Sequence, residues 1–376
     1  MQTRFITTEE ELVAIKEDWD RLVAGRPETD RPFYSWDWFY RSWIHFGKST
    51  GQGLFIVAVS EGERLVGILP LVRDWKKSSG ISYRILCFCN IGITPRNTMY
   101  TDSARDQEAV FRAAWNHLFE HRPDWDMLEF AKIPDSNPFH RFLLEGEHHG
   151  GYTLIQNQSA ITPFIELTGT LDEYIDSLSK ETRKHIRKRV RRFNAAGSSR
   201  LVRFFEKPDE IDEGLEYLET VHNNSWKGPY RNQHYPLFYQ EVTPILARNG
   251  GVLIAIAFLD DVPISGYYSL RKNDTYYGCI ADYDQKYSEY SPGIVLLNYQ
   301  WEYLLKEGGK IFDFCGTTYA YKEKYATGHQ NHSTFQIFHS GWKSRFIYSV
   351  KTFWLPLLRR IMRKPADKDF ILKKKQ

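Results

Sequence analysis

The order of predicted elements repeats along the 376-residue chain, and this repeat limits the folds that the sequence can adopt. In each half a helix precedes a hairpin that ends in glycine, and a strand, a second helix and a short strand follow. Ala58–Gly67 aligns without gaps on Ala257–Gly266, and Asp126–Phe130 corresponds to Lys310–Phe314. Alternating helices and strands favour an α/β or α+β sandwich in each half. The sequence therefore predicts an internal duplication.

The length of the chain supports two folding units. At 376 residues it exceeds the size at which a single hydrophobic core keeps growing. Pro163, Gly169 and Thr170 interrupt the periodic pattern between the halves. We predict an N-terminal domain over residues 1–165, a C-terminal domain over 166–345 and a basic C-terminal helix or tail over 346–376.

Apolar periodicity and turn residues place the individual elements. Thr8 and Glu11 have the spacing of a capping box, which predicts a helix from Thr8 to Val23. Gly197 is the expected end of a long helix over 171–196. Strands are expected at 54–60, 65–73, 83–89, 125–130, 201–206, 252–259, 263–271, 274–283 and 310–314, and further helices at 35–46, 106–121, 208–225, 236–249 and 293–307.

Charge and composition exclude several classes of protein. The formal net charge is +3 and 26% of the residues are charged, values that do not indicate a nucleic-acid-binding protein. Residues 1–11 lack the apolar run of a signal peptide, and the chain has no apolar stretch long enough to span a bilayer. We expect a soluble, cytoplasmic protein.

The four cysteines give no disulfide framework in a chain of this length. Cys87 and Cys89 alternate along a predicted strand, so their thiols face the same side. A zinc ion needs about four ligands in close array, and no histidine or cysteine cluster accompanies this pair. We expect buried, reduced cysteines and no metal site.

A polar loop after the strand at 274–283 opens a helix at Ser291-Pro292-Gly293. Proline suits the first helical position because its missing N–H would have had no partner there. The free amide groups and the dipole of such a helix start attract phosphate, and small residues let a ligand approach the backbone. An ordinary capped helix is the alternative interpretation of the tripeptide taken alone.

Several segments match a known group of proteins in their order along the chain. They are Phe33–Trp38, Trp43, Phe46-Gly47, Leu65–Arg73, Leu178–Arg189, Tyr290–Gly293, Phe312–Gly316 and Tyr321-Lys322. In this order the chain resembles the GNAT superfamily, and more narrowly the tandem-GNAT proteins of the CelD-like (cellulose-biosynthesis-type) acetyltransferases. These are relatives of the Fem-type peptidoglycan bridge transferases. The resemblance covers residues 10 to 340.

The resemblance implies an α/β (α+β) fold of two tandem GNAT-like domains, each a mixed, mostly antiparallel sheet flanked by helices. It also implies N-acyltransfer from acetyl-CoA or another acyl-CoA bound in the C-terminal domain. Like this group, the chain lacks the Arg/Gln-x-x-Gly-x-Gly/Ala phosphate loop of simple GNATs. The expected donor site therefore rests on position along the chain.

Acyl transfer to an amine needs positioning, a base and stabilisation of an oxyanion. Asp282 ends a strand beside the expected donor site, where a base is required, whereas Asp284 suits capping of the loop. Asp313 lies between two phenylalanines and must face a cleft or pair with a base such as Lys322. We predict Asp282, Tyr283, Asp313 and Lys322 as catalytic, Tyr287, Ser291, Pro292, Gly293 and Gly316 as donor-binding, and Trp226, Tyr321 and Arg187 as acceptor-binding residues.

Eight cations and a single acid lie within residues 180–192, and five of the cations share one helical face. Such a run is either a solvated helix surface or the contact for an anion such as CoA phosphate, an anionic saccharide, a lipid-linked precursor or RNA. The tail mixes aromatic and basic residues. This composition suits docking on the C-terminal domain or peripheral contact with an anionic inner-membrane surface.

We therefore expect an N-acyltransferase, most simply acetyl-CoA-dependent. Its acceptor would be an amine of a sugar, of a cell-envelope or exopolysaccharide precursor or of a small metabolite, held between the halves. A Fem-type aminoacyl-tRNA-dependent transferase is one alternative, which the absence of a sustained heptad pattern disfavours. A non-catalytic scaffold in polysaccharide biosynthesis is the other.

Overall fold

The computed structural model describes residues 1–24, 32–78, 80–89, 92–145, 151–316 and 319–354 of the protein. These residues form two sheets, one of four strands and one of eleven, with helices packed against them. The mixed α/β class expected from the sequence is confirmed.

In the N-terminal half, two elements expected to be continuous are each divided. The helix expected at 8–23 breaks at Ile15, although Thr8 and Glu11 form the predicted capping box. The strand expected at 65–73 divides at Pro70, which has no N–H to donate, and its two parts join different sheets. The elements are β1 (Gln2–Ile6), α1 (Glu9–Ala14), α2 (Lys16–Val23), α3 (Trp36–Ser42), β2 (Gly53–Leu54), β3 (Ile56–Glu61), β4 (Arg64–Leu69), β5 (Leu71–Ser78), β6 (Ile81–Phe88), β7 (Tyr100–Thr101), α4 (Gln107–Glu120), β8 (Met127–Pro134), α5 (Pro138–Glu145) and β9 (Tyr152–Glu166).

In the C-terminal half, the hairpin expected at 252–271 is confirmed. The expectation of one helix at 171–196 is wrong, because Leu178 is extended and Ser179 caps a second helix by accepting a hydrogen bond from the Thr182 amide. The elements are α6 (Leu171–Ser177), α7 (Lys180–Asn194), β10 (Arg200–Phe205), α8 (Ile211–Asn223), α9 (His234–Ala247), β11 (Val252–Leu259), β12 (Val262–Lys272), β13 (Thr275–Tyr283), α10 (Pro292–Lys306), β14 (Ile311–Asp313), α11 (Ala320–Glu323), β15 (Gly328–His339) and α12 (Trp342–Ser349).

The two halves repeat one connection. β6 leads through β7, which belongs to the smaller sheet, and α4 into β8, which pairs in parallel with β6. In the same way β13 passes through α10 into β14, which pairs in parallel with β13. The remaining strand pairs of the described residues are antiparallel. Each half therefore has mostly antiparallel strand pairing with one parallel pair joined through a helix, as the family resemblance implies.

The halves are joined by an exchange of their last strands, which the sequence patterns did not predict. β9, the last strand of the first half, pairs with β14, and β15, the last strand of the second half, pairs with β8. β9 and β15 also pair with each other, from Gly328↔Phe164 to His339↔Tyr152. The large sheet thus runs through both halves in the order β10-β11-β12-β13-β14-β9-β15-β8-β6-β5-β2.

A buried ion pair also joins the halves. Arg96 lies in the segment after β6, and its Nη2 donates to Asp313 Oδ2 of β14 at 2.6 Å. The two side chains are only 1% and 6% exposed. The other carboxylate oxygen of Asp313 accepts a hydrogen bond from the Cys315 amide at 2.8 Å. Asp313 is therefore paired, as a buried carboxylate must be, and the base in this ion pair is Arg96.

Removal of the Arg96 side chain would leave the Asp313 carboxylate buried without its cation. We expect Arg96→Ala to lower the free energy of unfolding by about 3–5 kcal/mol, the range for breaking a buried pair. Arg41→Ala is the matched control, because Arg41 joins the halves through a half-exposed ion pair to Glu241 at 2.7 Å. Such surface pairs contribute about 0–1 kcal/mol. Equal losses in urea unfolding of the two variants would contradict this role of Arg96.

His332 of β15 occupies an unusual position for a histidine. Its side chain is fully buried, and neither ring nitrogen has a hydrogen-bond partner among the described residues. Burial, and secondarily the nearby Arg96, lower the pKa of His332 from 6.5 to about 4. The folded chain therefore keeps this ring neutral at acidities where the unfolded chain takes up a proton.

We expect His332 to reduce stability as the pH falls from 6.5 to about 4, because only the unfolded state binds the proton in this interval. This loss of folding stability is absent above pH 6.5 and reaches about 3 kcal/mol at the acidic end of the interval. His332→Leu should remove this part of the pH dependence while preserving stability at neutral pH. Urea unfolding of both proteins across the interval measures the effect, and superimposable pH profiles would disprove it.

Candidate functional site

The β13–β14 cleft opens where two parallel strands part. β13 and β14 pair over a short register that ends at Tyr277↔Asp313. β13 continues to Tyr283, whereas Cys315 and Gly316, directly after β14, have left-handed φ angles of 48° and 62°. Beyond Tyr277, this edge of β13 has no partner strand in the described part of the chain. Its backbone groups are therefore available to a ligand.

A cavity of ≈ 500 Å³ occupies the cleft. Ligand sites in proteins usually have volumes of about 300–1,000 Å³. The N-terminal half contributes Ile93 and Lys132 to its wall, and the C-terminal half contributes the open edge of β13. Further lining residues are His222, Lys227, Tyr230, Tyr239, Phe314, Cys315, Gly316, Tyr319, Tyr321 and Lys322. The cavity therefore lies between the halves, with its chemistry supplied mainly by the second.

Asp282, at the end of β13, contacts two side chains in the cavity wall. Its Oδ2 lies 2.8 Å from Nδ1 of His222 on α8, and its Oδ1 lies 2.6 Å from Nζ of Lys227. The His222 ring stacks on Tyr230, with centroids 3.6 Å apart. A carboxylate accepts hydrogen bonds, so Nδ1 of His222 carries the proton and Nε2 of the neutral ring carries the lone pair. This pair is chemically suited to accept a proton from a bound amine.

Two lysines belong to the cavity wall, of which Lys322 is buried and Lys132 is half-buried. Lys322 donates from Nζ to the carbonyl oxygens of Phe314 and Cys315 at 3.0 and 2.8 Å, which fixes the side chain along the far edge of the cleft. Lys132 donates to the carbonyl oxygen of Thr94 at 3.3 Å. Burial lowers the pKa of both ammonium groups below their ordinary value. The cavity is therefore rich in donors and suits a ligand that carries carbonyl or anionic groups.

The expected donor segment, Ser291-Pro292-Gly293, forms the start of α10 as predicted. Ser291 has a left-handed φ of 52°, and its hydroxyl accepts a hydrogen bond from Arg189 of α7. A Cβ atom built on Gly293 would lie 3.8 Å from the Tyr283 ring, so the first turn of α10 lies against the end of β13. The helix start is therefore next to the cleft and carries a cation.

The structure brings some of the predicted site residues together and separates others. Asp282, Lys322, Tyr321 and Gly316 line the cavity. Asp313 is engaged with Arg96, and Arg187 forms an ion pair with Asp176 at 2.7 Å. Asp284 caps the turn after β13 by accepting from the Lys286 amide, which confirms its expected role. Trp226 is 68% exposed and does not line the cavity, and neither do Tyr283, Tyr287, Ser291, Pro292 and Gly293.

His222 is one of the site residues that the sequence patterns missed, together with Lys227 and Lys132. His222 lies sixty positions before Asp282, and one histidine near the end of a helix gives no local indication of such a partner. The only available signal was the polar segment Asn223-Asn224-Ser225 that ends this helix.

Comparison with known families identifies the second half. Residues 180–323 match the family model described as the acetyltransferase (GNAT) domain. These residues form a GNAT-type acyltransferase domain. They include His222, Asp282, Lys322 and both strands of the cleft. No curated protein sequence is significantly similar to the chain.

Solved structures with this fold cover nearly the whole chain. FemX is similar with a TM-score of 0.59 and 11% identity, over 93% of this chain and 99% of that one. L-PGS from Bacillus licheniformis is similar with a TM-score of 0.52 and 12% identity, over 93% and 97%. The C-terminal domain of a putative lysylphosphatidylglycerol synthetase from Agrobacterium fabrum gives 0.52 and 9%, over 90% and 96%. Together with the repeated crossover, the fold is that of two GNAT-like halves.

The four cysteines are free; Cys89 and Cys315 are buried as expected, whereas Cys87 and Cys279 are only half-buried. No helix among the described residues is long and apolar enough to cross a membrane. α12 begins at Trp342, before the predicted start of the tail at residue 346. The described chain ends at Trp354, so residues 355–376 of the tail lie outside the described residues.

Proposed function

We propose that the protein is an acyl-CoA-dependent N-acyltransferase whose donor enters the β13–β14 cleft. The open edge of β13 beside Asp282 and His222 carries this proposal. An extended thioester arm that contains amide groups would add to this edge as a strand does, through main-chain hydrogen bonds. The acyl carbonyl would then lie near the end of β13. Acetyl-CoA is the simplest such donor.

Cations at the start of α10 support a donor that carries phosphate. Arg189 contacts Ser291 at the first turn of this helix, where free amide groups also attract anions. Burial, and then the charges of Arg189, Lys324 and Lys188, lower the pKa of His185 on the same surface. The cations of α7 and Lys324, directly after α11, are thus concentrated where the phosphates of CoA would lie if its arm entered the cleft.

The proposed reaction follows from the groups at the end of β13. The acceptor amine attacks the thioester carbonyl, so a C–N bond forms and the C–S bond breaks. Nε2 of His222 accepts the amine proton and passes it to the departing thiolate, while Asp282 stabilises the imidazolium. Amide groups of β13 and the remaining donor of Lys322 stabilise the oxyanion. Lys227 holds Asp282 from the opposite side.

Substitution of two arginines of α7 tests the proposed position of the donor. We expect Arg189→Ala to weaken binding of acetyl-CoA and CoA about tenfold or more, because a hydrogen bond to a charged group contributes about 1.5–3 kcal/mol. Arg187→Ala is the matched control, since Arg187 lies on the same helix but is engaged with Asp176. Isothermal titration calorimetry measures the affinity of each variant for acetyl-CoA and CoA. Failure of the unmodified protein to bind either nucleotide would reject the donor assignment, and equal weakening would reject the phosphate position.

The catalytic assignment is tested at His222. We expect His222→Ala to lower kcat by about 100- to 10,000-fold, the usual contribution of a general base, with donor affinity unchanged. Thr220→Ala on the exposed side of the same helix is the control and should retain full activity. Mass spectrometry of acetylated products from a panel of amino sugars gives the rates. Undiminished kcat in the His222 variant would remove this residue from the mechanism.

A second candidate donor is aminoacyl-tRNA, as in the Fem-type alternative. The observation that favours it is a row of exposed lysines on α7, Lys180, Lys184 and Lys188, which form no ion pair within the described residues. Regularly spaced free cations suit a nucleic-acid backbone. Replacing all three by alanine would abolish salt-sensitive retention of aminoacyl-tRNA under this alternative. It would leave acetyl-CoA turnover intact under the first.

For the acceptor we propose an amine of a sugar, of a cell-envelope or exopolysaccharide precursor or of a small metabolite, bound in the cytoplasm. The position of the cavity between the halves supports this, because Ile93 and Lys132 of the first half line the same cavity as Asp282 at the end of β13. Peripheral membrane contact through the tail is part of the same proposal. It is supported by exposed Trp342, Phe353 and Trp354 at the end of the described chain.

A further inference from the structure

The last turn of α4 and the residue that caps it carry three potential metal ligands on one face. His117, Glu120 and His121 have the spacing i, i+3 and i+4, which places their side chains side by side on a helix. One ligand atom from each of the three lies within 4.8 Å of the others. None of the three lines the β13–β14 cleft.

The hydrogen bonds of His121 prepare its ring for a metal. Its Nδ1 lies 2.9 Å from the carbonyl oxygen of His117, which can only accept, so Nδ1 carries the proton. Nε2 of the neutral ring then carries the lone pair. Histidines that bind metals usually donate their other N–H to a carbonyl or a carboxylate in this way.

Phe5 holds the rings of His117 and His121 in place, and one ring nitrogen of His117 has no hydrogen-bond partner among the described residues. Phe5 of β1 packs on His117 and His121, with ring centroids 4.3 and 4.9 Å apart. Nε2 of His117 is buried and has no hydrogen-bond partner in the described part of the protein. A buried polar atom without a partner is costly, and a bound cation would relieve this cost. The carbonyl end of α4 also favours positive charge.

We propose that His117, Glu120 and His121 bind one divalent transition-metal ion, with Zn²⁺ as the representative ion. Two imidazoles and a carboxylate form a ligand set that Zn²⁺ accepts, and the remaining positions would be filled by water. The bound ion would link the end of α4 to the packing around Phe5 and so stabilise the N-terminal half through mass action. This site departs from the sequence-based expectation of no metal.

The test uses the full chain without an affinity tag, after removal of metal by a chelator. Titration with Zn²⁺ against a chromophoric chelator should show one ion per chain. His121→Ala and Glu120→Gln should each weaken this binding, the histidine variant by about tenfold or more. The visible d–d absorption of added Co²⁺ gives a second readout. Far-UV circular dichroism confirms that each variant is folded.

His329→Ala is the matched control, because His329 is exposed and lies 2.8 Å from Glu323, yet has no third ligand beside it in the described residues. It should bind Zn²⁺ as the unmodified protein does. Glu120 is exposed, so Glu120→Gln tests the site even if substitution of a histidine disturbs the packing on Phe5. Absence of stoichiometric Zn²⁺ binding, or binding that survives both Glu120→Gln and His121→Ala, would overturn the proposal.

Discussion

The pairing of β9 with β15 is the interaction on which the rest of the structure depends. Each strand ends one half of the chain and lies beside the other half, so their ladder joins two sheets into one. It fixes where β14 lies and therefore where the β13–β14 cleft opens. It also brings the first half close enough to supply Arg96 to Asp313 and Lys132 to the cavity wall. The position of the site between the halves follows from this exchange.

Within the joined sheet, the chemistry of the site results from the interrupted pairing of β13 with β14. β14 pairs with β13 only briefly, and left-handed residues at Cys315 and Gly316 then turn the chain away. The same interruption leaves main-chain groups of β13 available and places Asp282 at the rim of the opening. His222 reaches this carboxylate from α8, which packs on the neighbouring strand β12. A local loss of backbone pairing thus provides both a binding edge and a place for a proton acceptor.

Local patterns in the sequence were sufficient for elements whose signals are local. The hairpin at 252–271 and the helix that begins at Pro292 follow from apolar runs, turn residues and the preference of proline for a first helical turn. β9 and β15 escaped prediction because their partners lie far away along the chain, and because β15 opens with the polar run His329-Gln330-Asn331-His332-Ser333. Asp282 and Lys322, which line the cavity, were predicted from their positions at the end of a strand and after a loop. His222 and Arg96 were missed because their partners are 60 and 217 positions distant.

The exchange of terminal strands also has a consequence for the order in which the chain acquires its structure. During synthesis the first half emerges long before β15, which comes near the end of the chain. Until then β8 is an open strand edge, and open edges pair readily with other chains. Contacts between segments this far apart along the chain form slowly, because the entropy of the intervening chain is lost before the contacts stabilise the fold. The nascent chain is thus most exposed to aggregation after its first half is complete, and the arrival of β15 ends that interval.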